Sequence, residues 1–247
     1  VTRILVIQPG ADDPIGPLGD WLEAAGAELD LVKPYEQPVP ALDGYRAVVC
    51  LGGAMGPLDD VDHPWLADVR KALSGAVSRK IPVLAVCLGA QLLAVATGGQ
   101  VRRAPSGPEG GPQLIAKRDA AGRDPLFADL PWTPDVIQFH RDEVGLLPPS
   151  AELLASSPKC DNQAFRVGES AYGVQFHVET TPEVVLGWAA ASPDVAEAGR
   201  PGWLEPERLA EAHADVAEVW QPFAERFAKL ASGEIKPAMS GMPLPLV

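Results

Sequence analysis

Two rhythms of apolar residues alternate along the first hundred positions. Residues 2–8 (T-R-I-L-V-I-Q), 45–51 (Y-R-A-V-V-C-L) and 81–86 (I-P-V-L-A-V) are short, nearly continuous apolar runs, and they predict central strands. Residues 28–33 predict a further strand. Between these runs the apolar positions fall three and four apart. Leu18, Trp21, Leu22 and Ala25 predict a helix over 18–25, stopped at Gly26. Trp65, Val69, Leu73 and Val77 predict an amphipathic helix over 64–79, and residues 88–97 a third helix ending before Gly98 and Gly99. Strands alternating with helices imply an α/β fold: three layers, α/β/α, around a mainly parallel central sheet with its cleft at the carboxyl ends of the strands.

The texture changes after residue 100. Short strand candidates at 100–103, 113–118, 136–139, 152–156, 163–167 and 171–176 are separated by loops rich in Pro, Gly and Asp, which predicts an antiparallel region attached to the sheet. Residues 104–112 hold three prolines and three glycines and read as a flexible loop. A short helix is expected over 182–190 and a linker over 192–206. Leu209, Val216, Trp220, Phe223, Phe227 and Leu230 then form the strongest helical stripe in the chain, with Pro222 inside it predicting a kink or two helices. The stripe suits docking on the domain or a homodimer contact rather than a cofactor site.

Composition narrows the function classes. At 247 residues and 47% hydrophobic, with mean hydropathy +0.03, the chain suits a globular domain with an appendage. No uncharged apolar run approaches the ~20 residues that span a bilayer. The opening V-T-R-I-L-V-I lacks the features of a signal peptide. A net charge of −13 argues against a phosphate-backbone groove, so no nucleic acid and no membrane are expected as partners. Three cysteines without short paired spacing argue against a disulfide framework, and the absence of C-x-x-C and H-E-x-x-H against zinc. A reducing, cytoplasmic location is expected, with no metal and no cofactor.

The candidate chemistry centres on 81–91 (I-P-V-L-A-V-C-L-G-A-Q). A buried strand that delivers Cys87 at a sharp turn into a helix has the form of a nucleophile elbow, although a core cysteine in an apolar strand reads the same way locally. The helix N-terminus favours a thiolate. A cysteine nucleophile needs a base and a group to orient that base. His177 ends an apolar strand, and Glu179 two residues on can point to the same side. His140 ends another strand candidate and is a second cleft residue, whereas His63 and His213 are weaker candidates. The glycines of 52–56 (G-G-A-M-G) let backbone approach a ligand; a Gly53 N–H with the Leu88 N–H would make an oxyanion hole.

Taken in order, G-G-A-M-G at 52–56, A-V-C-L-G-A-Q at 85–91 and Q-F-H-V-E at 175–179 resemble the class I (triad-type) glutamine amidotransferases. Segments 59–66, 124–127, 140–142 and 162–166 look like the stand-alone branch related to the glutaminase domain of GMP synthase. The resemblance covers roughly residues 2–190. It implies a flavodoxin-like fold, with an amidotransferase domain at 1–190, a helical extension at 191–232 and a flexible tail at 233–247. It further implies Cys87 as nucleophile, His177 as proton shuttle, Glu179 as its orienter, and Gly53 and Leu88 as oxyanion donors. Gln91, Ala164, Phe165 and His140 become substrate-binding residues. The substrate would be glutamine or another γ-glutamyl compound, with a separate synthase subunit accepting the ammonia. A γ-glutamyl peptidase or hydrolase, and a non-catalytic regulatory subunit, remain as alternatives. Two positions depart from the family pattern: Ala85 stands where the elbow usually has glycine, and Val178 where proline is frequent.

Overall fold

Ile4 and Val6 turn to one face of the first strand and Leu5 and Ile7 to the other, and each pair enters a different hydrophobic core. That alternation defines the architecture. The structure is a computed structural model that describes residues 1–239. Its main sheet holds eight strands in the order β2-β1-β3-β4-β12-β11-β10-β7. β1 (Thr2–Ile7) pairs in parallel with β2 (Ala27–Val32) and β3 (Ala47–Cys50); β4 (Val83–Val86) joins β3 in parallel to β12 (Ala171–Val174). β11 (Ala164–Val167), β10 (Ala151–Ser156) and β7 (Ala116–Lys117) extend the edge in antiparallel pairs. The sheet is therefore mixed and mostly parallel.

One face is covered by α1 (Gly16–Ala24) and the long α6 (Pro206–Ser232), the other by α2 (Trp65–Ser78) and α3 (Leu88–Ala96). The apolar stripe of α6 is buried against the sheet. Trp220 lies 5.1 Å from Phe176, and its Nε1 donates to Asp135 O at 2.8 Å. Burying an aromatic side chain of this kind stabilises by about 1.5–3 kcal/mol, so this stripe fixes the helix without further contacts. α4 (Pro182–Ala191) follows the strand end that carries His177, and Thr181 caps it by accepting from Val184 N at 3.4 Å. Among the described residues no helix is long and apolar enough to cross a membrane.

Several local expectations are corrected. The Pro- and Gly-rich stretch at 104–112 is not all loop: Glu109–Leu114 is a strand, β6, paired antiparallel with β8 (Asp135–His140). β5 (Gln100–Arg103) pairs with an unanticipated strand, β9 (Asp142–Leu146), whose charged residues are matched across the ladder by Arg102–Glu143 and Arg103–Asp142 ion pairs at 2.8 and 3.2 Å. The linker at 192–206 contains α5 (Pro193–Glu197) and the buried Trp203. Pro222 does not divide the last helix in two. Its ring lies on the exposed side, while Phe223, Ala224 and Phe227 are held in the core. Residues 233–239 continue from Gly233, and Ala238 N donates to Glu169 O at 3.1 Å. The remainder of the expected tail, 240–247, lies outside the described residues.

Candidate active site

β4 runs directly into α3, and Cys87 occupies the junction with φ 51° and ψ −111°. A non-glycine residue at positive φ is strained by about 1–3 kcal/mol and persists only where its surroundings impose it. Here Cys87 N donates to Val174 O at 2.8 Å, and Cys87 O accepts from Gln91 N at 3.1 Å. Gly89 lets the turn close against the next strand, because a Cβ there would lie 2.2 Å from Cys50 O. Gly53 does the same from the facing loop: its Cβ would lie 2.7 Å from Leu88 Cδ2. The loop therefore rests on the first residue of α3, whose N–H has no acceptor within the helix.

His177 is brought to Cys87 from β12's end and is fixed by exchanging backbone hydrogen bonds with Ile137, at 2.8 and 3.1 Å. Its Nδ1 is 2.7 Å from Glu179 Oε1, and Glu179 Oε2 accepts from Val178 N at 2.9 Å. Both side chains are at most 2% exposed. Burial by itself would lower the His177 pKa, but Glu179 and then Cys87 act against it, and the pKa is raised well above the ordinary imidazole value. The Trp188 ring of α4 covers the imidazole at 4.7 Å.

These groups line a cavity of about 290 Å³ that also takes in Gly10–Asp13, Gln91 and Phe139–Asp142. Of the three cysteines, Cys87 is the one at this wall. Cys50 is fully buried with its pKa pushed up to about 12, and Cys160 is pushed up by burial and then by Glu143 and Glu109. The Cys87 sulfur has two polar neighbours, Phe139 O at 4.0 Å and Gln175 Nε2 at 3.6 Å. Gln175 Oε1 accepts in turn from Gln91 Nε2, at 3.2 Å, and Gln91 Nε2 also donates to Asp142 O at 3.1 Å.

The family described as Glutamine amidotransferase class-I matches residues 20–185. The chain belongs to that family. It is 33% identical over 150 residues to a GMP synthase [glutamine-hydrolyzing] of Christiangramia forsetii, a match covering 60% of this chain and 27% of that one. It is 30% identical over 167 residues to gamma-glutamyl peptidase 3 of Arabidopsis thaliana, covering 65% of this chain and 66% of that one. Among solved structures, a glutamine amidotransferase from Thermotoga maritima superposes with a TM-score of 0.79 at 28% identity, covering 92% of this chain and 98% of that one.

In this class I amidotransferase, Gly53, Cys87, Leu88, Gln91, His140 and His177 all reach the cavity wall, and Glu179 stands behind His177. His140 is tied on both ring nitrogens, to Asp142 O and to Glu109 Oε2, each at 3.0 Å. Ala164 and Phe165 are a correction. They lie in β11 with their side chains in the two opposite cores, and the Phe165 ring fills the space beside Gly173, so neither lines the cavity.

Three cavity-wall or near-wall residues were missed: Asp13, Gln175 and Trp188. Asp13 could have been found from its place in the loop after the first strand, since ligands collect at the carboxyl ends of parallel strands. Gln175 is a polar residue two positions before His177 in an apolar run, and so projects to the same side. Trp188 carried no local signal.

Proposed function

We propose that Cys87, His177 and Glu179 act as nucleophile, proton shuttle and orienting group in cleaving the side-chain amide of glutamine or another γ-glutamyl compound. The observation that carries this reading is the strained Cys87 turn, set at one cavity wall with a buried imidazole–carboxylate pair. In this scheme the Sγ proton passes to His177 Nε2 and the sulfur adds to the γ-carbonyl carbon. The N–H groups of Gly53 and Leu88 hold the oxyanion. The C–N bond then breaks, His177 gives its proton to the leaving nitrogen, and a γ-glutamyl thioester remains on Cys87. Water adds to the thioester, its proton passing to His177. Loss of the C–S bond frees glutamate and returns the proton to sulfur. Gln91 and His140 border the glutamyl end. The scheme uses no cofactor.

The glutaminase form of this reaction releases ammonia, and we assign its use to a separate synthase subunit. Support comes from the GMP synthase likeness, in which this chain spans only 27% of the relative. The likeness to a gamma-glutamyl peptidase favours a second reading, in which the leaving group is an amine and water is the final acceptor. Turnover of glutamine, γ-glutamyl dipeptides and γ-glutamyl amides by the wild type and by Cys87→Ala, with and without cell extract, tests both readings. Hydrolysis of at least one compound, absent in Cys87→Ala, is expected. Equal turnover by the variant would overturn the assignment.

A further inference from the structure

One wall of the cavity carries a carboxylate that this reaction does not use. Asp13 is 8% exposed, lines the cavity, and receives no hydrogen bond from any described residue. Two glycines locate its oxygens. A Cβ on Gly10 would lie 2.4 Å from Oδ2, and one on Gly52 would lie 2.9 Å from Oδ1. The same Gly52 Cβ would be 3.4 Å from His177 Cε1, so the carboxylate stands beside the imidazole.

The loop that presents Asp13 is held in place. Gln8 Nε2 donates to Gly10 O and Ala11 O at 3.0 and 3.2 Å, and Trp188 Nε1 to Asp12 O at 2.9 Å. The charges facing Asp13 are His177, Glu179 and Asp12. Burial pushes its pKa up to about 6, with His177 opposing and Glu179 and Asp12 adding to the rise. A buried carboxylate without a donor is costly unless a cation or donor arrives to meet it.

The cavity has two chemically distinct sides about Cys87. Gln91, His140 and Asp142 are bonded together on one, while Gly10, Asp13, Gly52 and Gly53 crowd together on the other. His177 has to protonate the leaving nitrogen, which therefore sits against the imidazole. Asp13 is beside that same ring.

We propose that Asp13 is a cation subsite for the leaving-group half of the substrate, so that the preferred substrate is a γ-glutamyl amide whose leaving amine bears a second, protonated amine. This rests on the reaction proposed for Cys87 and names its substrate class: γ-glutamyl conjugates of diamines or of similarly basic amines. Free glutamine, which loses only ammonia, leaves the subsite unfilled.

The test compares γ-glutamyl ω-aminoalkyl amides of two to five methylenes with their n-alkyl isosteres, on the full chain at neutral pH. The wild type is expected to favour at least one aminoalkyl compound over its isostere by about tenfold or more in kcat/KM, the size of effect typical of a desolvated charge pair. Asp13→Asn should collapse that ratio toward one, and Asp13→Ser gives the same comparison if the first variant fails to fold. A wild type indifferent to the terminal charge overturns the subsite, as does a preference that survives in the variants. An equal loss on every substrate also overturns it, placing Asp13 in support of His177 alone. Failure of the wild type to turn over any γ-glutamyl compound, glutamine included, instead overturns the underlying reaction.

Discussion

Glu179 Oε1 accepts a hydrogen bond from His177 Nδ1 at 2.7 Å, which leaves His177 Nε2 buried and without a partner among the described residues. The carboxylate thereby selects the tautomer whose free nitrogen is available to the cavity. Glu179→Gln keeps the shape but can turn an NH₂ toward Nδ1 and impose the opposite tautomer. A fall in kcat on the order of 10²–10⁴-fold is expected, read from steady-state hydrolysis of a γ-glutamyl substrate. Activity within a factor of two would contradict the orienting role.

The same pair sets a pH dependence. Burial works to lower the His177 pKa, yet Glu179 and Cys87 raise it well above its ordinary 6.5. The resulting stability is fully present below pH 6.5 and is lost as pH rises through the higher folded-state value. Removing the Glu179 charge removes a cause of the rise. The difference in unfolding free energy between wild type and Glu179→Gln should therefore shrink as pH is taken from 6 into the alkaline range. Denaturant melts across that range measure it.

Asp13 carries the opposite consequence. Its pKa rises from 3.8 to about 6 on folding, chiefly through burial, so the native state binds the extra proton in that window and stability falls as pH rises across it. Asp13→Asn should stabilise the protein above pH 6 by on the order of 2–3 kcal/mol. The gain should vanish below pH 4. An Asp13→Asn variant no more stable than wild type at pH 8 would mean that the carboxylate is compensated.

Gln175 donates to the Cys87 sulfur and accepts from Gln91. Gln175→Leu removes the donor while nearly keeping the volume. A hydrogen bond to a charged group contributes about 1.5–3 kcal/mol, so alkylation of Cys87 by iodoacetamide should slow about tenfold or more. An unchanged rate would remove Gln175 from the site.

Ala85, the departure from the family elbow, lies in the α2/α3 core with Cys50 and Gly173 as its strand neighbours. Its methyl is fully buried packing and not an obstruction at the turn. Ala85→Gly should cost about 1–2 kcal/mol in thermal or denaturant melts and leave kcat unchanged. A marked gain in activity would show that the methyl crowds the elbow.

What could be read from the chain was what is encoded locally. The apolar runs of β1, β3 and β4 announce buried strands, and the run ending at Cys87 leads straight into helical spacing. β6 and β9 could not be read in this way. Glu109-Gly110-Gly111-Pro112 has loop chemistry and becomes a strand only by pairing with β8, and Asp142 and Glu143 are tolerated in β9 because Arg102 and Arg103 face them from β5. Phe165 and Ala164 were assigned to substrate by analogy, but strand alternation sends them into the two cores. Asp13 meets His177 across more than 160 residues of sequence, which no local pattern records.

Covalent capture at Cys87 decides the matter most directly. The protein is mixed with a γ-glutamyl substrate, quenched in acid within milliseconds to seconds, and digested for peptide mass spectrometry. A γ-glutamyl increment on the peptide containing Cys87, absent in Cys87→Ala and prolonged in variants slow to hydrolyse the thioester, is predicted. Substrate turnover with no acyl group on Cys87 at any time, or with the increment on another residue, would contradict it.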